Sequence, residues 1–229
     1  MFDIQVKRIH EYKRQFMNIL YVIYRYLTIK EMSPEERKGF VPRTVMFAGK
    51  AAPAYITAKH IIKLINEVSN VINNDGETKS LLKVVFLPNY NVSNAEIIIP
   101  ASELSQHIST AGTEASGTSN MKFVMNGGLI LGTMDGANVE IYQEVGAENI
   151  FIFGARVEEI DKLKDRMYKV SPEDYIPPEL KKVIQSIRAG TFGERDLLMN
   201  LISTITNNND TYLVSADFQA YIAAQKVVD

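Results

Sequence analysis

The sequence of 229 residues contains no cysteine, so it can form no disulfide scaffold, no thiolate metal site and no cysteine nucleophile. It has no large excess of either charge, because 25 basic and 27 acidic residues leave a formal net charge of −2. A general nucleic-acid binder needs a broad cationic face, which this balance argues against. No apolar run approaches the roughly 18–20 residues of a membrane-spanning helix, and residues 1–15 lack the apolar stretch of a secretory signal. We therefore expect a soluble, cytoplasmic protein.

Histidine is rare as well, and several site motifs are missing. His10, His60 and His107 lie far apart on different predicted elements, without the spacing of metal ligands, so we expect no metal site. Gly49-Lys50 lacks the preceding glycine of a phosphate-binding P-loop, and no G-x-G-x-x-G follows a predicted strand. No G-x-S-x-G nucleophile elbow occurs either. These absences exclude the commonest nucleotide and serine-hydrolase patterns.

Apolar residues make up 46% of the sequence, enough for a sizeable core, and their spacing changes period along the chain. The period predicts strands at Phe2–Val6, Thr44–Phe47, Val84–Leu87, Leu129–Leu131 and Ile150–Phe153, with a further apolar run at Ile97–Pro100. It predicts helices at Glu11–Ile29, from Pro53 to the turn residues Asn73–Gly76, at Ser119–Asn126 and at Asn138–Val145, with a polar connection at Met32–Pro42. Strands that alternate with helices indicate parallel βαβ units. The fold class is therefore α/β, a Rossmann-like parallel sheet with helices on both faces.

The strand pattern stops after Val157. Four helices are predicted beyond it, at Glu158–Tyr168, Pro178–Arg188, Arg195–Ile205 and Ala216–Val227, and we expect them to form a helical layer. The domain organisation we expect is thus an α/β core over residues 1–156 and a helical packing segment of the same domain over residues 157–229. The chain begins almost inside its first strand and ends on a helix without a stop signal, so we interpret it as a piece of a longer protein.

The first stretch that could carry chemistry is residues 7–14, in which four fixed cations and His10 occur within eight residues. It lies at a predicted strand-to-helix junction, the edge where parallel sheets place ligands and where helix N–H groups favour an anion. Arg8 offers a planar fork and Lys13 a point charge for a phosphate. The alternative is a solvated basic helix start with Glu11 offsetting part of the charge, and charge alone favours that alternative.

The second stretch, residues 110–128, is rich in small residues before a short predicted helix, so a phosphate or a sugar could approach its main chain closely. Lys122 follows among Met121, Phe123, Val124 and Met125. Apolar neighbours predict a partly desolvated lysine whose neutral amine is nucleophilic, as a Schiff-base lysine requires. The alternative is a lysine that extends its amine to water from a buried helix, and the residues alone favour it. Asp135–Asn138 is interpreted as a turn that caps the next helix.

An ordered set of motifs resembles one known family. Glu114–Lys122, followed by Asn126, resembles the cofactor-lysine motif of the α-glucan (glycogen and starch) phosphorylases. Further segments are similar to that family in the same order, namely Val6–Gln15, Gly49–Pro53, Asn89–Ser93 and Gly132–Glu140. The resemblance is strong from the first residues to about Gly154 and looser over the helical remainder.

The resemblance implies cleavage of the terminal α-1,4 bond of a glucan by inorganic phosphate, releasing glucose 1-phosphate. It implies pyridoxal 5'-phosphate bound as a Schiff base to Lys122, with the cofactor's phosphate exchanging a proton with the substrate phosphate. The implied catalytic residues are Arg8 and Lys13, which would hold the substrate phosphate, and Lys122. The implied cofactor-binding residues are Lys122, Lys7, Tyr90, Gly117 and Thr118. The implied sugar-binding residues are Tyr12, Glu114, Ala115, Ser116 and Gly117. Two adjacent phosphates repel each other, which would explain a cationic cluster on an acidic chain.

Two departures from the family pattern matter. Asn91 stands where some members carry an arginine, which puts a cofactor-phosphate contact from that position in doubt. Members are also several times longer, so this chain would be most of the carboxy-terminal lobe of a glycosyltransferase B-type fold. The amino-terminal domain of the same enzyme is then a missing partner, beside α-glucan and phosphate. The full-length protein would be a homodimer, and the chain alone would be inactive.

Two other interpretations remain open from the sequence. One is a non-catalytic regulatory or interaction module derived from a phosphorylase lobe, against which the intact Lys122, Arg8 and Lys13 argue. The other is a different pyridoxal phosphate enzyme, such as an aminotransferase. That class needs an acidic partner for the pyridine nitrogen, and no residue of this sequence is evident in that role.

Overall fold

Six parallel strands form one sheet in the computed structural model, which describes residues 1–207 and 210–229. The strands are β1 (Phe2–Val6), β2 (Arg43–Ala48), β3 (Leu82–Leu87), β4 (Leu104–His107), β5 (Leu129–Gly132) and β6 (Phe151–Ile152). Their order across the sheet is β3-β2-β1-β4-β5-β6, and each neighbouring pair is parallel. This is the order of doubly wound α/β folds, with its topological switch point between β1 and β4. The predicted Rossmann-like parallel sheet is confirmed.

The helices of the described residues follow the strands in alternation and then continue alone. They are α1 (Gln15–Glu31), α2 (Pro34–Lys38), α3 (Ile56–Asn74), α4 (Val92–Ile98), α5 (Ser119–Met125), α6 (Asn138–Val145), α7 (Val157–Met167), α8 (Pro172–Tyr175), α9 (Pro178–Arg188), α10 (Arg195–Thr206) and α11 (Val214–Val228). Single 3-10 turns occupy Glu11–Lys13 and Ala147–Asn149. Among these residues, no helix combines the length and the apolar character needed to cross a bilayer.

Both faces of the sheet are covered, as predicted. On one face Ile4 and Val6 of β1 pack with Ile98 of α4 and Phe123 of α5. On the other face the sheet packs against α1 and α3 in the larger core cluster. There α9 and α11 pack on α1, and α10 packs on α3. Helices α9 and α10 therefore lie outside the first two long helices, whereas α11 also packs directly on β6.

Buried polar contacts align the three central strands. Arg43 of β2 donates to one carboxylate oxygen of Asp3 in β1 at 3.2 Å, and Gln106 of β4 donates to the other at 2.8 Å. Burial raises the pKa of Asp3, although the Arg43 guanidinium acts in the opposite direction. Because these contacts join β1, β2 and β4, they also fix the relative positions of the far ends of these strands.

Two predicted helix starts are wrong. The helix predicted from Glu11 is interrupted at Arg14, whose left-handed backbone (φ 57°) separates the 3-10 turn from α1. The helix predicted to contain Pro53 in its first turn begins only at Ile56, with Pro53 in the preceding turn. The polar connection Met32–Pro42 contains the short helix α2, which Ser33 and Glu36 cap reciprocally.

The sequence pattern did not predict β4. Its residues Ser105, Gln106 and His107 are polar yet buried, since each has hydrogen-bond partners inside the fold. The apolar run Ile97–Pro100, which lies just before it, instead belongs to α4 and the residues that follow it. A polar buried strand of four residues carries neither an apolar run nor a clear alternation, so periodicity cannot detect it.

Candidate functional site

A cavity of about 410 Å³ lies at the carboxyl ends of β1 and β4, at the switch point of the sheet. Most of the site residues predicted from the sequence line it, namely Lys7, Lys13, Tyr90, Glu114, Ser116, Gly117, Thr118 and Lys122. The fold thus brings residues 7–13, residue 90 and residues 114–122 together around one space.

Three of the predicted residues do not line this cavity. The side chain of Arg8 is exposed, and its main-chain carbonyl accepts a hydrogen bond from the side chain of Gln15 at 2.9 Å. Ala115 lines an apolar groove between α5 and α6. Tyr12 is not among the lining residues, but its hydroxyl donates to Glu114, which is, at 3.2 Å. Arg8 is therefore on the predicted loop but outside the cavity lining.

Lys7 follows β1 directly and carries its amine to the cavity wall, where Nζ lies 3.0 Å from Nδ1 of His107. Burial of the amine, together with the nearby Lys13 ammonium, lowers the pKa of Lys7 to about 7. A bound anion at this wall would oppose both effects, because it would favour the ammonium form. We therefore expect Lys7 to favour its ammonium form more strongly once an anionic ligand binds beside it.

Lys13 is paired within the chain. Its amine forms an ion pair with the carboxylate of Glu114 and lies 4.6 Å from the centre of the Tyr12 ring. The same carboxylate accepts a hydrogen bond from the Tyr12 hydroxyl. Burial acts to lower the pKa of Lys13, but the hydrogen bonds to Glu114 and Tyr12 raise it above its ordinary value. Lys13 therefore stays charged, and Glu114 holds it beside the cavity.

Asp135 shapes the loop that lines the cavity. Its carboxylate accepts from the Ser109 hydroxyl at 2.7 Å and from the main-chain N–H groups of Gly112 and Glu114, both at 2.9 Å. The next residue, Gly136, has φ +52°, and any side chain there would collide with the carbonyl of Ser116. The loop consequently packs directly against the turn after β5.

The sequence interpretation of Asp135–Asn138 as a helix cap is wrong in its detail. Helix α6 begins at Asn138 after Ala137, with no side-chain cap. Instead the Asn138 amide donates to the carbonyls of His107 and Thr133, both at 3.0 Å, and accepts from Asn120 at 2.9 Å. These inward contacts fix the first turn of α5 against β4, where Gly117 and Thr118 enter the cavity.

Lys122 reaches the cavity from α5, and of the two interpretations of this residue the partly desolvated lysine is wrong. The Lys122 side chain is exposed. Met121 and Met125 are 41% and 86% exposed, while Phe123 alone of this group is buried in the core. The turn spacing of α5 directs Phe123 inward and leaves the amine of Lys122 accessible. An accessible primary amine can react with an aldehyde that enters this space.

Arg14, counted among the four cations of the basic stretch, is fully buried. Its guanidinium donates to the carbonyl of Ile108 at 2.6 Å and to the carboxylate of Asp217 in α11, also at 2.6 Å. All of its contacts are with the chain itself, so Arg14 fixes the end of the basic segment and does not belong to the cavity.

Among the cavity-lining residues that sequence reasoning did not assign to the site are His107, Asp135 and Asn138. His107 ends the undetected strand β4, and the other two lie in a stretch that resembles the family but whose residues were interpreted as a turn. Their partners Lys7, Glu114 and Asn120 are 100, 21 and 18 residues away along the chain, so no local spacing reveals them. In the part of the chain that the structure describes, no cluster of side chains could hold a metal ion.

Comparison with known proteins identifies the family of the chain. A family model described as "Carbohydrate phosphorylase" matches residues 1–229. The chain is 55% identical over 231 residues to "Glycogen phosphorylase 2" of Dictyostelium discoideum and 56% identical over 234 residues to "Alpha-glucan phosphorylase, H isozyme" of Vicia faba. It is 54% identical over 237 residues to "Glycogen phosphorylase" of Saccharomyces cerevisiae. Each match covers 100% of this chain but only 22%, 27% and 26% of these relatives.

The chain therefore spans about a quarter of the length of the curated relatives it matches. The family match extends over the helical remainder as well as the α/β part. With the sheet order, the cavity at its switch point and a match along every residue, the chain belongs to the carbohydrate phosphorylase family.

Proposed function

We propose that this chain is the cofactor- and phosphate-binding part of a pyridoxal-phosphate-dependent α-1,4-glucan phosphorylase, a glycosyltransferase that converts glycogen or starch and phosphate into glucose 1-phosphate. The observation that carries the proposal is the cavity at the switch point, which gathers the amines of Lys7, Lys13 and Lys122. The printed names of the relatives, which include glycogen and α-glucan phosphorylases, support the choice of reaction.

The residues of the cavity fit pyridoxal 5'-phosphate. An aldehyde needs a primary amine, which the exposed Lys122 offers from α5. A phosphate needs cations and N–H donors, and Lys7, Gly117 and Thr118 face the same space. Within the described residues, no intramolecular acceptor contacts the N–H of Gly117 or Thr118. Tyr90, whose pKa is raised by burial, offers a ring surface for the pyridine.

Pyridoxal phosphate, when bound, would supply a phosphate group that exchanges a proton with the substrate phosphate. The residues of this chain would hold the two anions side by side. Lys7 would neutralise the cofactor's phosphate, Lys122 would tether the cofactor at Nζ, and Lys13 and Arg8 would bind the substrate phosphate. Lys13 already reaches the cavity, whereas Arg8 would turn inward from its exposed position on the same loop. The positive charges of these side chains would offset the electrostatic repulsion between the two phosphate groups.

The sugar would lie next to the loop held by Asp135. Glu114 and Ser116 line the cavity, Ala115 lies between them, and Tyr12 approaches through its contact with Glu114. Their main-chain and side-chain polar groups would accept hydrogen bonds from the glucosyl hydroxyls or donate hydrogen bonds to them. Because the Asp135 carboxylate accepts from the N–H groups of Gly112 and Glu114, it would hold the rest of the loop in one arrangement towards the sugar.

The remaining three quarters of the relatives' length would complete the enzyme. We propose that an amino-terminal domain forms the opposite wall of the cleft and that the full-length protein is a homodimer. One relative bears the printed name "Alpha-glucan phosphorylase 2, cytosolic", which supports a cytosolic location for this protein. Within this chain we propose residues 1–156 as the site-bearing core and residues 157–229 as the segment that packs on it.

Borohydride reduction followed by peptide mapping tests the cofactor assignment. The protein incubated with pyridoxal 5'-phosphate and reduced should carry a stable pyridoxyl label on Lys122. Lys122→Ala should abolish that label, while the exposed Lys59→Ala in α3 should not change it, since Lys59 lies outside the cavity. In the full-length protein, Lys122→Ala should reduce the formation of glucose 1-phosphate to background.

Two results would refute the proposal. One is a label spread over surface lysines and unaffected by Lys122→Ala. The other is full glucose 1-phosphate formation by the full-length Lys122→Ala protein. A Lys122 label in the full-length protein with amino-group transfer instead of phosphorolysis would indicate a different pyridoxal phosphate chemistry.

A further inference from the structure

His107 stands at the end of β4 beside the cavity, and both of its ring nitrogens have partners. Nδ1 lies 3.0 Å from Nζ of Lys7, and Nε2 lies 3.0 Å from Oγ of Ser105. The Ser105 hydroxyl in turn donates to the carbonyl of Leu129 at 3.2 Å. His107 is 5% exposed and Ser105 is fully buried, so water has little access to these contacts. The four groups form a hydrogen-bonded row from Lys7 through β4 to β5.

The carbonyl of Leu129 decides the direction of every hydrogen bond in this row, because a carbonyl can only accept. Ser105 gives its proton to that carbonyl, so its oxygen accepts from Nε2–H of His107. A neutral imidazole that is protonated at Nε2 carries its lone pair on Nδ1, and the amine of Lys7 fills that position as the donor. Burial, with Lys7 and Lys13 nearby, holds the pKa of His107 well below its usual range. His107 is therefore neutral and accepts from Lys7.

We propose that His107 is a positioning residue for Lys7: its neutral Nδ1 holds the amine of Lys7 at the cavity wall, aimed at a bound phosphate group. The identity of that phosphate as the cofactor's rests on the function proposed above. His107 does not bind the anion itself, since both ring nitrogens are already engaged. It acts through the direction and the charge state that it gives to Lys7.

Lys7 needs such a partner for two reasons. Its four-carbon stem has many rotamers, and an acceptor at a fixed position selects among them. Its ammonium is also opposed by burial and by Lys13, which favours the neutral amine. The charged groups around the same cavity are Lys13, Glu114, Lys122 and Asp135, and of these Glu114 favours the ammonium of Lys7. An acceptor for the ammonium favours the charged form further.

The test compares pyridoxal 5'-phosphate with pyridoxal, which lacks the phosphate. His107→Leu removes the acceptor and should weaken binding of pyridoxal 5'-phosphate roughly tenfold, as expected for loss of a hydrogen bond to a charged group. Binding of pyridoxal should change by less than about twofold. His107→Gln restores an oxygen acceptor and should recover most of the affinity. The double variant His107→Leu/Lys7→Gln should bind no more weakly than Lys7→Gln, because the histidine acts through the lysine.

A second measurement needs no ligand. Nuclear magnetic resonance titration of the 13Cε signal of Lys7, assigned by its loss in Lys7→Gln, reports the pKa of this amine in the full chain. His107→Leu should move that pKa further down, and His107→Gln should keep it near the wild-type value. Thermal denaturation of each variant identifies any that do not fold, and His107→Phe, which also lacks an acceptor, replaces His107→Leu if that variant does not fold.

The outcomes separate the two proposals. Equal weakening of pyridoxal and pyridoxal 5'-phosphate in His107→Leu, or an unchanged Lys7 titration, would overturn the role of His107 and leave it a structural residue. Failure of the wild-type chain to bind pyridoxal 5'-phosphate would overturn the proposed cofactor, while the titration of Lys7 would still test its pairing with His107.

Discussion

At the scale of single residues, the site depends on close packing of two main-chain segments. The main-chain N–H of Ala137 donates to the carbonyl of Ser116 at 2.6 Å, and Gly136 lies directly under that carbonyl. Only glycine leaves room for this approach at a positive φ. The loop that lines the cavity and the turn after β5 are therefore held together by a contact that one methyl group would prevent.

Gly136→Ala and Gly127→Ala form a matched pair that isolates this contact. Both glycines have positive φ, +52° and +79°, but a Cβ at Gly127 meets nothing within 4 Å. Gly127→Ala should lower the free energy of unfolding by about 1–2 kcal/mol, the cost of the left-handed backbone. Gly136→Ala should cost roughly twice as much, because Ser116 must move. Urea denaturation measures both, and equal losses would contradict the close-approach argument.

The same contacts show what a sequence reveals about single residues. Lys7, Lys13, Gly117 and Lys122 lie in stretches that composition left open and that the family resemblance assigned to a phosphate and cofactor site, and these residues do line one cavity. Asp135 carries no such signal, because its partners Ser109, Gly112 and Glu114 become neighbours only when β4 and β5 pair. The exposure of Lys122 agrees with the alternative that the residues alone favoured, since the neighbouring letters are apolar but their side chains leave the helix in different directions.

At the scale of elements, a buried acidic residue precedes helix α11 and contacts its first turn. The carboxylate of Asp210 accepts from the main-chain N–H groups of Val214 and Ser215 at 2.8 and 2.6 Å. Burial raises the pKa of Asp210 to about 6, although these hydrogen bonds and Arg14 act to lower it. The start of α11, which packs on α1 and β6, is thus coupled to a proton.

The sign of this coupling follows from the direction of the shift. Between about pH 4 and pH 6 the folded chain binds a proton at Asp210 that the unfolded chain has released, so stability falls as the pH rises through this window. Asp210→Asn removes the titration. The stability of the wild-type chain minus that of the variant should therefore decrease by up to ~3 kcal/mol from pH 4 to pH 6 and stay constant above pH 7. Urea denaturation at several pH values checks this, and parallel curves would refute it.

Strands and helices with a clear apolar periodicity were predicted well. Helices α6 and α9 have the predicted bounds, Asn138–Val145 and Pro178–Arg188, and β1 has its predicted bounds, Phe2–Val6. Strand β4 escaped detection because polar contacts inside the fold, and not apolar burial, stabilise Ser105, Gln106 and His107. The interruption at Arg14 escaped too, since a buried guanidinium with distant partners has no local signature.

At the scale of the whole molecule, the alternation of strands and helices predicted a parallel sheet, but not the order of its strands. The position of the switch point between β1 and β4 appears only once the pairing is known. That position explains why residues 7–13 and 114–122, about a hundred residues apart, border one cavity. The strand order is a property of packing between distant segments, which one sequence does not encode locally.

We expect that the 229-residue chain binds pyridoxal 5'-phosphate but does not phosphorolyse glucan. It spans about a quarter of its relatives' length, and two of its proposed sugar-binding residues, Tyr12 and Ala115, do not line the cavity. Glucose 1-phosphate formation from glycogen and phosphate measures this directly, with the full-length protein as the positive control. Turnover by the chain alone at a rate near that of the full-length protein would contradict the expectation.

The backbone of the basic segment, residues 7–14, is held in place near both of its ends. The Gln5 side chain donates to the carbonyl of Lys13 at 3.2 Å, that of Gln15 donates to the carbonyl of Arg8 at 2.9 Å, and Arg14 is anchored in the core. A backbone fixed in this way has little conformational entropy left to lose when a ligand arrives. The rate at which a phosphate is captured here should then be limited by diffusion and by long-range attraction, with no slow loop closure before it.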